Sequence, residues 1–159
     1  MKKSLLPCES NQFYQQHIML LNTSYQSLLH RPLLQSENVQ NLGREAFFAD
    51  FALLSHNADP DPLFDYANQV ALAVFEFSWE ELIGLPSRLS AEVGNQQARE
   101  EALTKVAEHG YMEHYNAVRI SKSGRRFWIK DVVIWNVYDE QGIYRGQAAC
   151  FQSWAGLVD

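Results

Sequence analysis

At 159 residues the chain has the length of one ordinary domain, enough to bury a substantial core and short for two. Hydrophobic residues make up 47% and aromatics 13%, which excludes a disordered or low-complexity chain. A formal charge of −6, with no basic run longer than a pair such as Arg125-Arg126, argues against direct nucleic-acid binding and against an anionic membrane surface.

The N-terminal Leu5-Leu6 is cut off by Pro7, Cys8 and Glu9 before it reaches signal-peptide length. No apolar stretch of about 18 residues is present to cross a bilayer. Cys8 and Cys150 lie at opposite ends, so a disulfide framework is not expected and a reducing cytoplasm is the expected compartment.

From Tyr14 the apolar positions Tyr14, Ile18, Leu21, Tyr25 and Leu28 fall on one stripe of a helix, which His30-Arg31-Pro32 ends. The stripe predicts a lid on the rest of the fold or a homodimer contact. A weaker helical stretch covers about 37–48. Phe51 to Ser55 reads as a short strand, 57–62 as an Asx- and Pro-rich turn, and Leu63 to Tyr66 as a second short strand. Asn68 stands where a helix N-cap is wanted ahead of Val70 to Phe75. Ser78 and Glu81 have capping-box spacing, and that short helix stops at Gly84 with Pro86 beyond. A longer polar helix opens at Asn95, runs through Arg99, Leu103 and Val106, and ends at Gly110.

Three strands follow, over 111–121, 126–138 and 143–154, separated by Gly-containing turns that suit hairpins. In the middle strand strict alternation puts Phe127, Ile129, Val133, Trp135 and Val137 on one face and Trp128, Val132 and Ile134 on the other. Both faces then need cover, the helices between Asn68 and Gly110 on one and the N-terminal helix on the other. The expected fold class is α+β, a five-stranded antiparallel sheet with helices on one face and an additional N-terminal amphipathic helix. The expected division is a helical extension over 1–45 and a domain over 46–159.

The run Tyr66-Ala67-Asn68-Gln69-Val70-Ala71, Phe75, and Ser78-Trp79-Glu80-Glu81-Leu82-Ile83-Gly84 resembles a PAS signature. More narrowly, the blocks HNADPDPLFDYAN, LPSRLSAE, VRISKSGRRFWI, VIWNVYD and GQAACFQSW occur in order and resemble the bacterial MEKHLA domain. That PAS-like family also occurs at the C-terminus of plant homeodomain leucine-zipper regulators. The resemblance spans about 46–154 and is carried by five separated blocks rather than one motif. It implies a stand-alone sensory or regulatory module that binds a small ligand, pairs with itself and signals through a separate protein partner.

The resemblance names no cofactor. Photosensory PAS domains of the light-oxygen-voltage type hold flavin and place a reactive cysteine at the position of Ser87, counted from Gly84. Their strand asparagine is Ile129 here, and their terminal glutamine matches Gln152 only after a one-residue slip. No flavin and no cysteinyl photo-adduct are expected. His17, His30, His56, His109 and His114 suggest no haem ligand. Asp59, Asp61 and Asp65 lack the glycine and closing glutamate of a calcium loop, so no metal is expected. No catalytic motif is present, Ser87 and Ser90 have no neighbouring histidine in sequence, and no enzyme is expected.

The ligand-binding candidates are Phe75, Trp79, Ser87, Arg88, Arg119, Asp131, Trp135 and Gln147. Asp131, placed among inward apolar residues, would need Arg88 or Arg119 as a partner. That pair is either a salt bridge tying the helical lid to the sheet or part of a site in which an arginine grips a ligand carboxylate or phosphate. Phe75, Trp79 and Trp135 would then pack the ligand's apolar body. The competing reading is a ligand-free interaction or dimerisation domain whose interior its own aromatics fill; an uncharacterised enzyme comes third.

Overall fold

The computed structural model of the protein describes residues 5–157. Helix α1 (Gln15–Leu29) ends with His30 in the left-handed region, its N–H on the carbonyl of Gln26. The stretch after it divides into a 3-10 turn over Val39–Asn41 and a short α2 (Leu42–Phe47). Strands β1 (Ala52–His56) and β2 (Phe64–Ala67) pair antiparallel around the turn at 57–63.

Asn68 caps α3 (Gln69–Phe75) by accepting from the N–H of Ala71. Ser78 and Glu81 form a reciprocal capping box on α4 (Trp79–Leu82). A 3-10 turn over Ser87–Ser90 leads to α5 (Val93–His109). Gly110 stops α5 at φ 100°, a backbone conformation that a side chain would strain.

The last third forms β3 (Tyr111–Ile120), β4 (Arg126–Tyr138), β5 (Tyr144–Phe151) and a short β6 (Ser153–Gly156). The sheet runs β2-β1-β5-β4-β3, and β6 continues the line of β5 along the first half of β4. Gly146 sits at φ 138°, and a Cβ there would lie 2.0 Å from the carbonyl oxygen of His56. Glycine at this position lets β5 close against the end of β1.

Strict alternation fails in the middle of β4. Ala117 opposes Ile129, Tyr115 opposes Val132, and Met112 opposes Ile134, so one extra residue is accommodated first on β4 and then on β3. The two bulges fall at Asp131 (φ 54°) and His114 (φ 56°), residue types that tolerate left-handed geometry better than most. The consequence corrects the expected faces. Val132 and Ile134 join Ile129 on the wall of the internal cavity, whereas Trp135 turns to the opposite face.

There Trp135 is fully buried, with Nε1–H donating to the carbonyl of Leu21 at 3.1 Å and the Tyr25 ring edge-on at 4.9 Å. The Ser24 hydroxyl accepts from the N–H of Tyr138 and donates to its carbonyl. Ile18, Leu21 and Tyr25 are buried, so α1 is a lid on its own sheet and its stripe is not available for pairing two chains.

Candidate functional site

The internal cavity lies between the sheet and the cover made by α3, the Ser87–Ser90 turn and α5, with a volume of about 60 Å³. The middle of its sheet wall is apolar, with Leu54, Ile129, Val132, Ile134, Ala149 and Phe151. Phe75 reaches it from α3 and Leu103 from α5. Polar groups converge on it from both sides: Ser87, Ser90 and Arg99 from the helical cover, and His56 of β1, Arg119 of β3 and Gln147 of β5 from the sheet.

Arg99 is 5% exposed and Arg119 7%. Arg99 donates to Ser87 Oγ. Arg119 donates to the carbonyl of Val118 at 3.0 Å and stands 6.0 Å from the centre of the Tyr115 ring. Among the described residues neither guanidinium makes an ion pair with a carboxylate. Burial, with Arg119 nearby, brings Arg99 down to about 10, which still leaves it protonated at neutral pH. Two buried like charges without an acid are costly to keep.

The His56 ring fixes its own tautomer. Nδ1 faces the carbonyl of Asn57 at 3.0 Å, so it carries the proton and leaves Nε2 as a lone pair. That Nε2 is buried without a hydrogen bond of good geometry, although the Gln147 side chain is close by. Gln147, in contrast, is engaged, donating to the carbonyl of Leu103 and to Asn136 Oδ1.

Of the residues singled out in the sequence, Phe75, Ser87, Arg119 and Gln147 meet at this cavity. Four do not. Arg88 is a surface residue paired with Asp61 at 3.2 Å. Trp79 is buried elsewhere, stacked on Tyr14 at 5.4 Å and edge-on to Tyr66 at 5.8 Å. Trp135 lies under α1, for the reason given by the bulge. Asp131 is not a buried carboxylate at all: its side chain is 71% exposed and meets His114 Nδ1 at 2.5 Å, because the bulge turns it out of the sheet. Arg99 and His56 are the site residues that the motif reading missed. Arg99 did leave a signal, since it is in helical phase with Leu103 and Val106 and so lies on the inward stripe of α5.

A second polar cluster lies beneath α1. Ser55 donates its hydroxyl to Asp65 Oδ1 at 2.5 Å, and His17 Nε2 is 2.9 Å from Ser55 Oγ. With the serine proton committed to the carboxylate, His17 Nε2–H must be the donor to Ser55. A nucleophilic triad needs the reverse order, serine to histidine and histidine to carboxylate, so this arrangement is a strut between α1 and the sheet.

Burial pushes both His17 and His56 below the ordinary imidazole value of 6.5, with Asp65 opposing the effect at His17. The unfolded chain then takes up protons first as pH falls. The stability these neutral rings support is complete above about pH 6.5 and declines below it. The thermal midpoint is expected to stay level between about pH 8 and 7 and to fall by about pH 5.5, less steeply in a His17→Gln, His56→Gln double variant. A wild-type midpoint that stays level to about pH 5.5 would contradict this. The thiols differ too: Cys150 is pushed up to about 12 by burial, and the two cysteines are free.

An antiparallel sheet with a helical cover, enclosing a small cavity where a few polar side chains converge, defines the protein as a PAS-like domain. The model of the MEKHLA domain matches residues 15–156, and the chain belongs to that family. The match begins at the start of α1, the helix that packs on the sheet.

Solved structures agree on the fold. A PAS domain from Colwellia psychrerythraea has a TM-score of 0.58 at 17% identity, covering 67% of this chain and 88% of that one. A light-oxygen-voltage domain studied with a flavin analogue gives 0.59 at 18%, covering 74% and 85%. The PAS domain of a LuxR-family transcriptional regulator from Burkholderia thailandensis, in complex with ethanol, gives 0.53 at 16%, covering 67% and 92%. No curated protein matches the chain.

The residues present do not fit a flavin. Ser87 stands where the thiol would be and bonds Arg99, Ile129 replaces the strand amide, and a cavity of about 60 Å³ is far below the roughly 300–1,000 Å³ of pockets for larger ligands. Among the described residues no helix is long and apolar enough to cross a membrane, and no group of acidic, histidine or cysteine side chains could hold a metal ion.

Proposed function

We propose that this protein is a sensory or regulatory module that holds a small ligand between the sheet and the cover of α3 and α5 and acts through a separate protein. PAS-like domains are typically sensory or regulatory, and many bind ligands and pair. The observation that carries the reading here is the buried Arg99 and Arg119, both lining one cavity and neither paired with an acid. A domain that needed only a solid core would gain stability by replacing them with apolar side chains.

The sheet is one residue thick between the two covers. Ile134 lines the cavity and the next residue, Trp135, carries α1, which makes α1 the element through which occupancy would reach a partner. Self-association remains within the proposal, through a surface other than the α1 stripe. The runner-up, a ligand-free interaction domain, is favoured by the small cavity and by fully buried aromatics such as Phe127 and Trp135. The test is whether protein from its own host carries a non-covalent small molecule that Arg119→Gln protein does not.

A further inference from the structure

We infer that the ligand is a small organic carboxylate, its anionic head between Arg99 and Arg119 and its short tail against Leu54, Ile129 and Val132. The inference rests on the reading of the cavity as a ligand site and adds the chemical class.

Charge comes first. Arg99 and Arg119 are at least nine-tenths buried, line the same cavity, and are partnered by neutral oxygens, Ser87 Oγ and the carbonyl of Val118. Planar forks of this kind match a carboxylate or phosphate in two parallel hydrogen bonds. A single anion supplied from outside would neutralise charge that the described residues leave without an ion pair, since Glu100 and Asp61 act on Arg99 only from a distance.

The second observation is independent of the arginines. His56 Nε2, buried on the same cavity, has no hydrogen bond of good geometry, only the Gln147 side chain close by. With Nδ1 on the carbonyl of Asn57, the remaining lone pair is matched by a hydroxyl beside the carboxylate or by a proton shared with it.

Size and polarity decide between carboxylate and inorganic phosphate. The volume of about 60 Å³ equals roughly two water molecules, which limits the ligand to a carboxylate with a tail of about one or two carbons. Phosphate would present oxygen to every side, and the apolar part of the sheet wall, Leu54, Ile129 and Val132, offers it no donor. A phosphate oxygen against that wall would be buried without a partner.

The test is thermal denaturation and calorimetric titration of the full chain with acetate, propionate, propionamide and inorganic phosphate at constant ionic strength. Propionate is expected to raise the thermal midpoint saturably, with propionamide and phosphate far weaker. Arg99→Met and Arg119→Met are expected to abolish the effect, and Arg88→Met, a surface control, to keep it. Where a methionine variant does not fold, Arg99→Lys keeps the charge without the fork and should weaken propionate binding at least about tenfold. Equal shifts from propionamide and propionate would overturn the anion while leaving the ligand cavity standing. A shift from phosphate alone would overturn the carboxylate. A propionate shift that survives in both methionine variants would place the head elsewhere and overturn the site. No shift from any compound would overturn both the inference and the ligand reading beneath it.

Discussion

Asn68→Ala is expected to destabilise the protein by about 3 kcal/mol or more. Asn68 is fully buried, and its one amide serves four backbone groups. Oδ1 accepts from the N–H of Leu53 and of Ala71, both at 3.0 Å, while Nδ2 donates to the carbonyls of Ala46 at 3.0 Å and Phe51 at 2.7 Å. Alanine removes the cap on α3, worth about 1 kcal/mol by itself. It also strands buried groups of β1 and α2, each costing about 1–3 kcal/mol when left unpaired.

Asn68→Asp separates these contributions. The carboxylate keeps the two acceptor roles, but it loses both donors and faces two carbonyl oxygens, so a loss comparable with that of alanine is expected. Urea denaturation of both variants is the measurement. An alanine variant within about 1 kcal/mol of the parent would mean that the four groups find other partners.

Trp135→Ala is the second large effect, an expected loss of about 3–5 kcal/mol. The indole is fully buried and holds α1 through the Leu21 carbonyl and the Tyr25 ring. Removing it opens a void under the helix. Trp135→Phe keeps most of the volume and deletes the hydrogen bond, which should cost about 1 kcal/mol. In the alanine variant, limited proteolysis is expected to cut within α1 before the sheet unfolds. A loss below about 1 kcal/mol with α1 still protected would show that the helix is held mainly by other contacts.

The fates of these two residues show what was legible beforehand. Asn68 could be placed from sequence because an N-cap is a local pattern, a short polar residue just ahead of an apolar run. The capping box of Ser78 and Glu81 and the stop at Gly110 were readable on the same ground. The additional bonds from Asn68 to β1 and α2 were not, since they join segments that periodicity treats separately.

Trp135 was read onto the wrong face. The bulges at Asp131 and His114 use no glycine, so nothing in the local composition announces that the alternation breaks there. The same break explains Asp131: an acid in phase with inward neighbours reads as buried, and one left-handed residue carries it to solvent. The stripe of α1 stated that one face of the helix is apolar. It did not state that the cover would be its own sheet rather than a second chain.

The cavity was half legible. Ser87 and Arg119 stand in blocks that resemble the family, whereas Arg99 stands in the polar helix between blocks and is marked only by its phase with Leu103 and Val106. Once α5 packs on the sheet, that phase brings a second guanidinium to the wall that Arg119 also lines. Neither residue alone specifies an anion site; their meeting without an acid does.

Native mass spectrometry of the protein purified from its own host, with an ultraviolet-visible spectrum of the same sample, tests the ligand cavity most directly. The account predicts a retained non-covalent mass of a small compound and no flavin absorption, with the retained mass lost in the Arg99→Met and Arg119→Met proteins. A bare polypeptide mass for the wild type, unchanged after incubation with a host small-molecule extract, would contradict it and leave a self-filled interaction domain in its place.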